Sequence, residues 1–289
     1  ELNCVELELQ QKIKDNFDDR LLTIGRAAHK TGNAIHEGRS NCQFRNRCVR
    51  GCPFGGYFSS NSSTLPAAER TGNMHLRHHS IAYEIVYDDQ KGIATGVRVI
   101  DAETKEKIFF KASIIFSCAS TIGTASILMQ SKSERFPNGL GNDSGELGPN
   151  IMDHVTGSGA SAKVEGFEDS YYKGRRPNGF YIPRFRNLGK KTVQKDFLRG
   201  YGYQGRASRT NWRQGMGELS YGKDLKDELM KPGHWRIGMG GFGECLPYHD
   251  NKMSLNYEKL DEWGLPTVDF DVTFRENELK MKEDIKNQA

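Results

Sequence analysis

Residues 81–100 read I-A-Y-E-I-V-Y-D-D-Q-K-G-I-A-T-G-V-R-V-I, and residues 112–129 read A-S-I-I-F-S-C-A-S-T-I-G-T-A-S-I-L-M. The first stretch alternates over 81–87, turns through D-D-Q-K-G and runs back over 94–100, which predicts a β-hairpin. A second turn at A-E-T-K-E-K leads to a third strand over 108–111. Residues 112–119 form a continuous apolar run of the kind found in buried strands. The small residues S-T-I-G-T-A then carry the chain straight into a helix ending near Met129. A strand that feeds a helix through small residues is how a doubly wound sheet presents backbone amides to a cofactor.

Outward from this core the patterning changes. Residues 4–15 place Val5, Leu7, Leu9 and Ile13 at imperfect helical spacing, and 21–28 reads as a short strand. Ser63 or Thr64 caps a short helix over 65–71 that Gly72 ends. Beyond a Gly-, Asn- and Pro-rich segment at 137–150, strand patterns recur at 155–164, 178–185, 199–208, 234–245, 252–257 and 267–272. Turns such as R-R-P-N-G, H-D-N-K and G-L-P separate them, which predicts a mostly antiparallel sheet. A last helix starts over 276–287. The expected fold class is α+β (α/β), with a first unit over 1–153, a second over 154–275 and the start of a helix over 276–289.

Bulk properties remove several functions. The 289 residues suffice for one large domain or two modest ones. A net charge of +4 with dispersed basic residues argues against a nucleic-acid surface. Mean hydropathy is −0.68, and no apolar run approaches the roughly eighteen residues of a membrane span. Six cysteines in a chain of this length do not make a disulfide scaffold. The chain opens on Glu1 and reads as a processed or excised piece, so a missing targeting segment says nothing about compartment.

The segment at 41–56, N-C-Q-F-R-N-R-C-V-R-G-C-P-F-G-G, carries Cys42, Cys48 and Cys52 at C-x5-C-x3-C spacing in a polar loop. Thiolates gathered this tightly either hold an inorganic cluster or are reduced residues set against a cofactor. Both readings are redox chemistry. Zinc fits less well, because no fourth Cys or His has structural-zinc spacing.

Taken in order, H-S-I-A-Y-E-I, A-T-G-V-R-V-I, K-A-S-I-I-F-S-C-A-S-T-I-G-T-A-S-I-L-M-Q-S, F-P-N-G-L-G-N-D-S-G-E-L-G-P-N-I-M-D-H and L-P-Y-H-D-N-K-M-S-L-N resemble the middle of a glucose–methanol–choline (GMC) flavoprotein oxidoreductase. The likeness spans roughly residues 42–275 and is nearest to the bacterial FAD-dependent sugar and polyol dehydrogenases. It implies part of an FAD-binding doubly wound domain, with an antiparallel-sheet substrate domain beside it. Cys118, Ala119 and Ser120 would lie against FAD through their backbones, and Ile81 would recognise the adenine. An ordinary tight connection and a plain core isoleucine are the alternatives. Cys42, Cys48 and Cys52 would ligate a [3Fe–4S] cluster, with Arg45, Arg47 and Arg50 offsetting its charge and Gln43 standing where one relative carries an extra cysteine. The alternative there is Cys52 packed beside the flavin, with the other two incidental.

Two family hallmarks are absent from the chain: a G-x-G-x-x-G turn for the FAD pyrophosphate and a C-terminal histidine pair that takes the alcohol proton. Both are expected outside it, so the chain alone is expected to be inactive and to hold FAD weakly or not at all. His154 in N-I-M-D-H matches a structural hinge of the family rather than its base. His75, His78 and His79 do not suit one ion, since neighbouring strand residues point to opposite faces. Trp212, Trp235, Tyr201, Tyr203 and Phe242 among Gln204, Arg206 and Glu244 suit a sugar ring or, alternatively, a core. The basic run at 173–187 reads as a solvated loop or a docking face for a redox partner.

The sequence thus predicts an FAD-dependent oxidoreductase acting on the CH–OH group of a sugar or polyol. Electrons would leave to an electron-transfer subunit or cytochrome, and the resemblance implies a periplasmic setting. The rival is a non-catalytic β-rich binding module with a structural metal or none.

Overall fold

The computed structural model describes residues 1–25, 29–30, 38–45, 48, 51–170, 179–209, 221–231 and 233–289, with the backbone alone at 228 and 229. The far end of the strand expected over 21–28, Arg47, Arg50, Trp212 and the R-R-P-N part of the R-R-P-N-G turn lie outside the described residues. Packing divides the chain into two units that interleave in sequence. One comprises 1–74, 153–245 and 274–289, and the other 75–152 and 246–273.

In the first unit, α1 (Cys4–Asn16) is followed by β1 (Thr23–Ile24), a 3-10 turn at Ser60–Ser62 and α2 (Thr64–Glu69). In the second come β2 (Ser80–Asp88), β3 (Ile93–Asp101), β4 (Lys107–Lys111) and α3 (Ser120–Gln130). The first unit resumes with β5 (His154–Val155), β6 (Gly159–Val164), β7 (Phe180–Ile182), β8 (Tyr201–Arg209), α4 (Lys223–Met230) and β9 (Trp235–Glu244). The second unit adds β10 (Lys252–Leu260) and β11 (Pro266–Asp271), and α5 (Glu276–Gln288) closes the first.

The sheet of the first unit is antiparallel in the order β1-β7-β8-β9-β5, with β6 also on β9. Register puts Tyr201 opposite Gly243 and Arg209 opposite Trp235. Because side chains alternate along a strand, Tyr201, Tyr203 and Ala207 of β8 share the buried face with Trp235 of β9. Against that face lie Leu2 and Ile13 from the α1 region and Met281 and Ile285 of α5. Two glycines make the seat for α5. A Cβ on Gly241 would stand 2.4 Å from Ile285 Cγ2, and one on Gly243 would stand 2.4 Å from Met281 Sδ. The Tyr201 hydroxyl donates to Asp284 at 2.5 Å, the Tyr203 hydroxyl to the Ile285 carbonyl at 2.6 Å, and Arg186 to Asp284 at 2.9 Å.

The N-terminus of α1 is bound into β8. Asn3 and Glu6 form a capping box. The same two side chains take both backbone groups of Ala207: Asn3 Nδ2 donates to its carbonyl at 2.9 Å and its N–H donates to Glu6 Oε1 at 2.9 Å. Among the described residues β7 pairs with 203–205, and these two side chains supply the bonds at Ala207.

In the second unit β2, β3 and β4 form the expected hairpin and third strand. Asp88 Oδ1 accepts the N–H groups of Gln90 and Lys91, and Gly92 adopts φ +67° to close the turn. Asp101 Oδ1 accepts from Glu103 and Thr104 at the next turn. Helix α3 packs on β2, where the Ile85 N–H donates to Ser131 Oγ at 2.8 Å.

Two expectations are corrected. Residues 112–119 are not a buried strand: after Ala112, whose N–H donates to the Thr95 carbonyl of β3 at 3.0 Å, no described ladder holds them, and Ile114 and Phe116 are 74 % and 84 % exposed. An apolar run becomes a buried strand only where neighbours pair with it and cover it, and beyond Ala112 none of the described residues do so. Every described ladder between named strands is antiparallel. The patterns at 252–257 and 267–272 form their own two-stranded sheet rather than joining the larger one. The fold class is mixed helix and antiparallel sheet, α+β. No helix among the described residues is long and apolar enough to cross a membrane.

Candidate functional site

The cysteine loop is shaped by backbone bonds to distant chain. The Lys30 N–H donates to the Gly56 carbonyl at 2.7 Å, Cys42 to Lys30 at 3.0 Å and Ser40 to Phe54 at 2.7 Å. A Cβ on Gly56 would lie 3.0 Å from Cys42 Cα, so only glycine lets the two segments approach this closely. Cys48 and Cys52 each begin a tight turn, their carbonyls accepting the N–H groups of Gly51 and Gly55 at 3.1 Å. The result is an open pocket lined by His29, Cys42, Arg45, Cys48, Cys52 and Tyr57.

The electrostatics of the thiols differ. Burial pushes Cys48 above the ordinary thiol range, and negative charge at Cys42 and Cys52 pushes it further. Cys52 is held below that range, chiefly by the Tyr57 backbone N–H, with Phe54, Gly56 and Arg45 helping against burial. Arg45 stacks its guanidinium 5.4 Å from the Phe54 ring centre. None of the six cysteines is in a disulfide.

The structure therefore brings all three predicted cysteines to one cavity. His29 is an addition that no spacing motif announced. Its Nε2 lies 3.7 Å from Cys48 Sγ, and a backbone bridge to Tyr57 places it there. Among the described residues no three His, Cys, Asp or Glu side chains converge closely enough to hold a single metal ion. A polynuclear cluster interposes its own iron and sulfide between its thiolates, so its ligands stand further apart than those of one ion. Three thiols around one cavity, with amide donors and an arginine, suit such a group in donor chemistry.

The residues expected against FAD belong to the other unit. Cys118 and Ala119 are exposed, and Ala119, at φ −83° and ψ 18°, leads into α3 at Ser120, whose φ is +63°. No side chain caps this helix, and a Cβ on Gly123 would lie 3.2 Å from Ala119 Cβ. Small side chains and first-turn amides without a side-chain cap suit a cofactor laid against the backbone. Ile81 is half-buried in β2 opposite Ile100.

Other candidates sort by side-chain direction. Tyr201, Tyr203 and Trp235 are core residues, no more than 2 % exposed, and cannot face a sugar. Phe242, 41 % exposed, shares the open face of the sheet with Gln204, Arg206 and Glu244. Gly238 and Gly240, opposite Arg206 and Gln204, have no close neighbour where a Cβ would stand and floor that face, whereas the Tyr181 ring covers Gly202. His154 stands on it too, exposed, with its ring 6.0 Å from Phe242. His78 and His79 are not split by strand alternation. They precede the ladder proper, and φ +54° at His79 brings the two rings to 4.4 Å edge to face.

The family model for GMC oxidoreductases matches residues 4–156. The chain is similar to a 2-methyl-1,2-propanediol dehydrogenase of Mycolicibacterium austroafricanum, 26 % identical over 283 residues, covering 93 % of this chain and 49 % of that one. It is also similar to the fructose dehydrogenase large subunit of Gluconobacter japonicus, 26 % identical over 248 residues, covering 82 % of this chain and 42 % of that one. The chain spans about half the length of the relatives it matches. With more than half of its residues matched by the family model, the chain belongs to the GMC oxidoreductases.

Proposed function

We propose that this chain serves an FAD-dependent dehydrogenase that oxidises the CH–OH group of a sugar or polyol and passes electrons onward through an iron–sulfur group at Cys42, Cys48 and Cys52. The observation that carries the reading is the convergence of three unpaired thiols on one cavity in a GMC oxidoreductase. The propanediol dehydrogenase and fructose dehydrogenase among its relatives support the substrate class.

Each part of the chain takes a role. Residues 118–120 and the first turn of α3 would hold the flavin through backbone contacts, with Ile81 at the adenine. When bound, the flavin supplies a hydride acceptor for the carbinol carbon. The open sheet face would receive the substrate. Phe242 offers an apolar surface for C–H groups, Gln204 and Arg206 offer hydrogen bonds to hydroxyls, and the glycine floor leaves room for a ring. The amides around Cys52, with Arg45, would neutralise thiolate and sulfide charge. An electron-transfer subunit or cytochrome is the proposed recipient, and the periplasm the proposed setting.

The test separates the two halves of the reaction. Full-length protein loaded with FAD is mixed without oxygen with a polyol and with a ketose, and flavin absorbance is followed. Bleaching by one of these alcohols supports the reading. Serine at Cys42, Cys48 or Cys52 should leave bleaching intact while slowing delivery of electrons to a one-electron dye. Flavin that never bleaches with any sugar or polyol refutes the substrate class. Dye reduction unaffected by all three serine variants refutes the exit route.

A further inference from the structure

The three thiols do not meet the same surroundings. Cys42 Sγ accepts the Phe44 backbone N–H at 3.5 Å, and Cys52 lies among the amides of Tyr57, Phe54 and Gly56. Cys48 instead faces a side chain, the His29 imidazole, with Nε2 at 3.7 Å. That imidazole is held in place. Its backbone bridges to Tyr57, and the Tyr57 ring meets it edge to face at 5.4 Å. His29 lies outside the C-x5-C-x3-C run and outside every motif the sequence offers.

A thiolate bound to iron carries no proton and can only accept, so the nitrogen facing it must be the N–H of the ring. Hydrogen bonds to the sulfurs of a cluster stabilise the state with more negative charge, which is the reduced one. Removing such a donor therefore makes reduction harder. An exit group needs a potential that draws electrons from the flavin, so a donor at Cys48 acts in the useful direction.

We propose that His29 is a positioning residue for electron exit, donating from Nε2 to the Cys48 sulfur and so raising the reduction potential of the iron–sulfur group. The inference rests on the cluster reading given above. It concerns a residue that acts through a ligand, Cys48.

The test is a redox titration, followed by electron paramagnetic resonance, of the full-length protein purified without oxygen. His29→Phe keeps an aromatic ring beside Tyr57 and removes the nitrogen. His29→Leu is a second variant without a donor, and His29→Gln restores an N–H near the Nε2 position. Iron and sulfide contents should match wild type in all three. Phe or Leu should disfavour reduction about tenfold, a shift of about 59 mV to lower potential for a one-electron couple, and Gln should recover most of it. An unchanged potential in both Phe and Leu variants, with iron intact, overturns the inference and leaves the cluster reading standing. Loss of iron from all three variants makes His29 a ligand rather than a donor, and overturns it as well. Wild-type protein without iron or sulfide overturns the cluster reading and this inference with it.

Discussion

Replacing Gly241 by alanine places a methyl group where α5 docks on β9. The new Cβ would stand 2.4 Å from Ile285 Cγ2 and 3.1 Å from its Cδ1 and Cγ1. Ordinary contact begins at 3.4 Å, so the helix and strand must separate locally by about 1 Å in a core packed at crystal-like density. Ile285 cannot swing clear. Its Cγ2 sits on the branched carbon nearest the backbone, and the side chain is fully buried. Overpacking of this kind costs about 1–3 kcal/mol, which for a domain of this size lowers the melting temperature by roughly 2–4 °C per kcal/mol. The assay is urea unfolding followed by the fluorescence of Trp235, which is buried in the same unit. Ile285→Ala alone should cost about 2–5 kcal/mol through the cavity it opens. The double variant should lose less than the sum, since the added methyl enters that cavity. Gly241→Ala with an unchanged midpoint, or a double variant additive within about 0.5 kcal/mol, would refute the docking of α5 on the glycine seat.

Three further outcomes follow from the same structure. Asn3→Asp, although aspartate caps helices well, should destabilise the first unit by about 1–3 kcal/mol. It loses the Nδ2 donor to the Ala207 carbonyl and sets a carboxylate beside buried Glu6; unchanged urea stability would contradict this. Burial pushes Tyr203 up to about 12 from an ordinary 10.0, and burial likewise pushes Tyr201 up. The unfolded chain then releases these protons first, so Tyr203's contribution, about 3 kcal/mol, is whole below about pH 10 and is lost as pH rises toward 12. Urea midpoints measured across that window should fall, less steeply in Tyr203→Phe; an identical slope in the variant would count against the account. Phe242→Ala should raise KM for the sugar or polyol about tenfold with kcat little changed, and an unaltered KM would remove Phe242 from the substrate face.

Much of this fold was legible because strand parity and turn chemistry are local. The β2–β3 hairpin, its turns at Asp88 and Asp101, and the strands on either side of α4 all fall where alternation and turn residues put them. Sequence leaves Tyr201 and Tyr203 open between a sugar ring and a core, because they neighbour Gln204 and Arg206. Parity sends the tyrosines inward with Ala207 and leaves the polar pair outside. The run at 112–119 shows the converse failure. Its apolar residues state a preference for burial, yet burial depends on strands that a single run cannot display. Gly241 and Gly243 fall inside the strand expected over 234–245, but their role in admitting α5, a contact across some forty residues, has no local signal. At the cysteine loop, spacing identified the three thiols. His29 stayed hidden because a nonlocal bridge to Tyr57, and no motif, carries it to Cys48.

The central claim is that Cys42, Cys48 and Cys52 hold an iron–sulfur group in a flavin-dependent oxidoreductase. Its most direct measurement is the iron, acid-labile sulfide and zinc content of the full-length protein purified without oxygen. The account predicts iron and sulfide in near-equal amounts, both lost when any one of the three cysteines becomes serine. Zinc alone, or no metal at all, would contradict it.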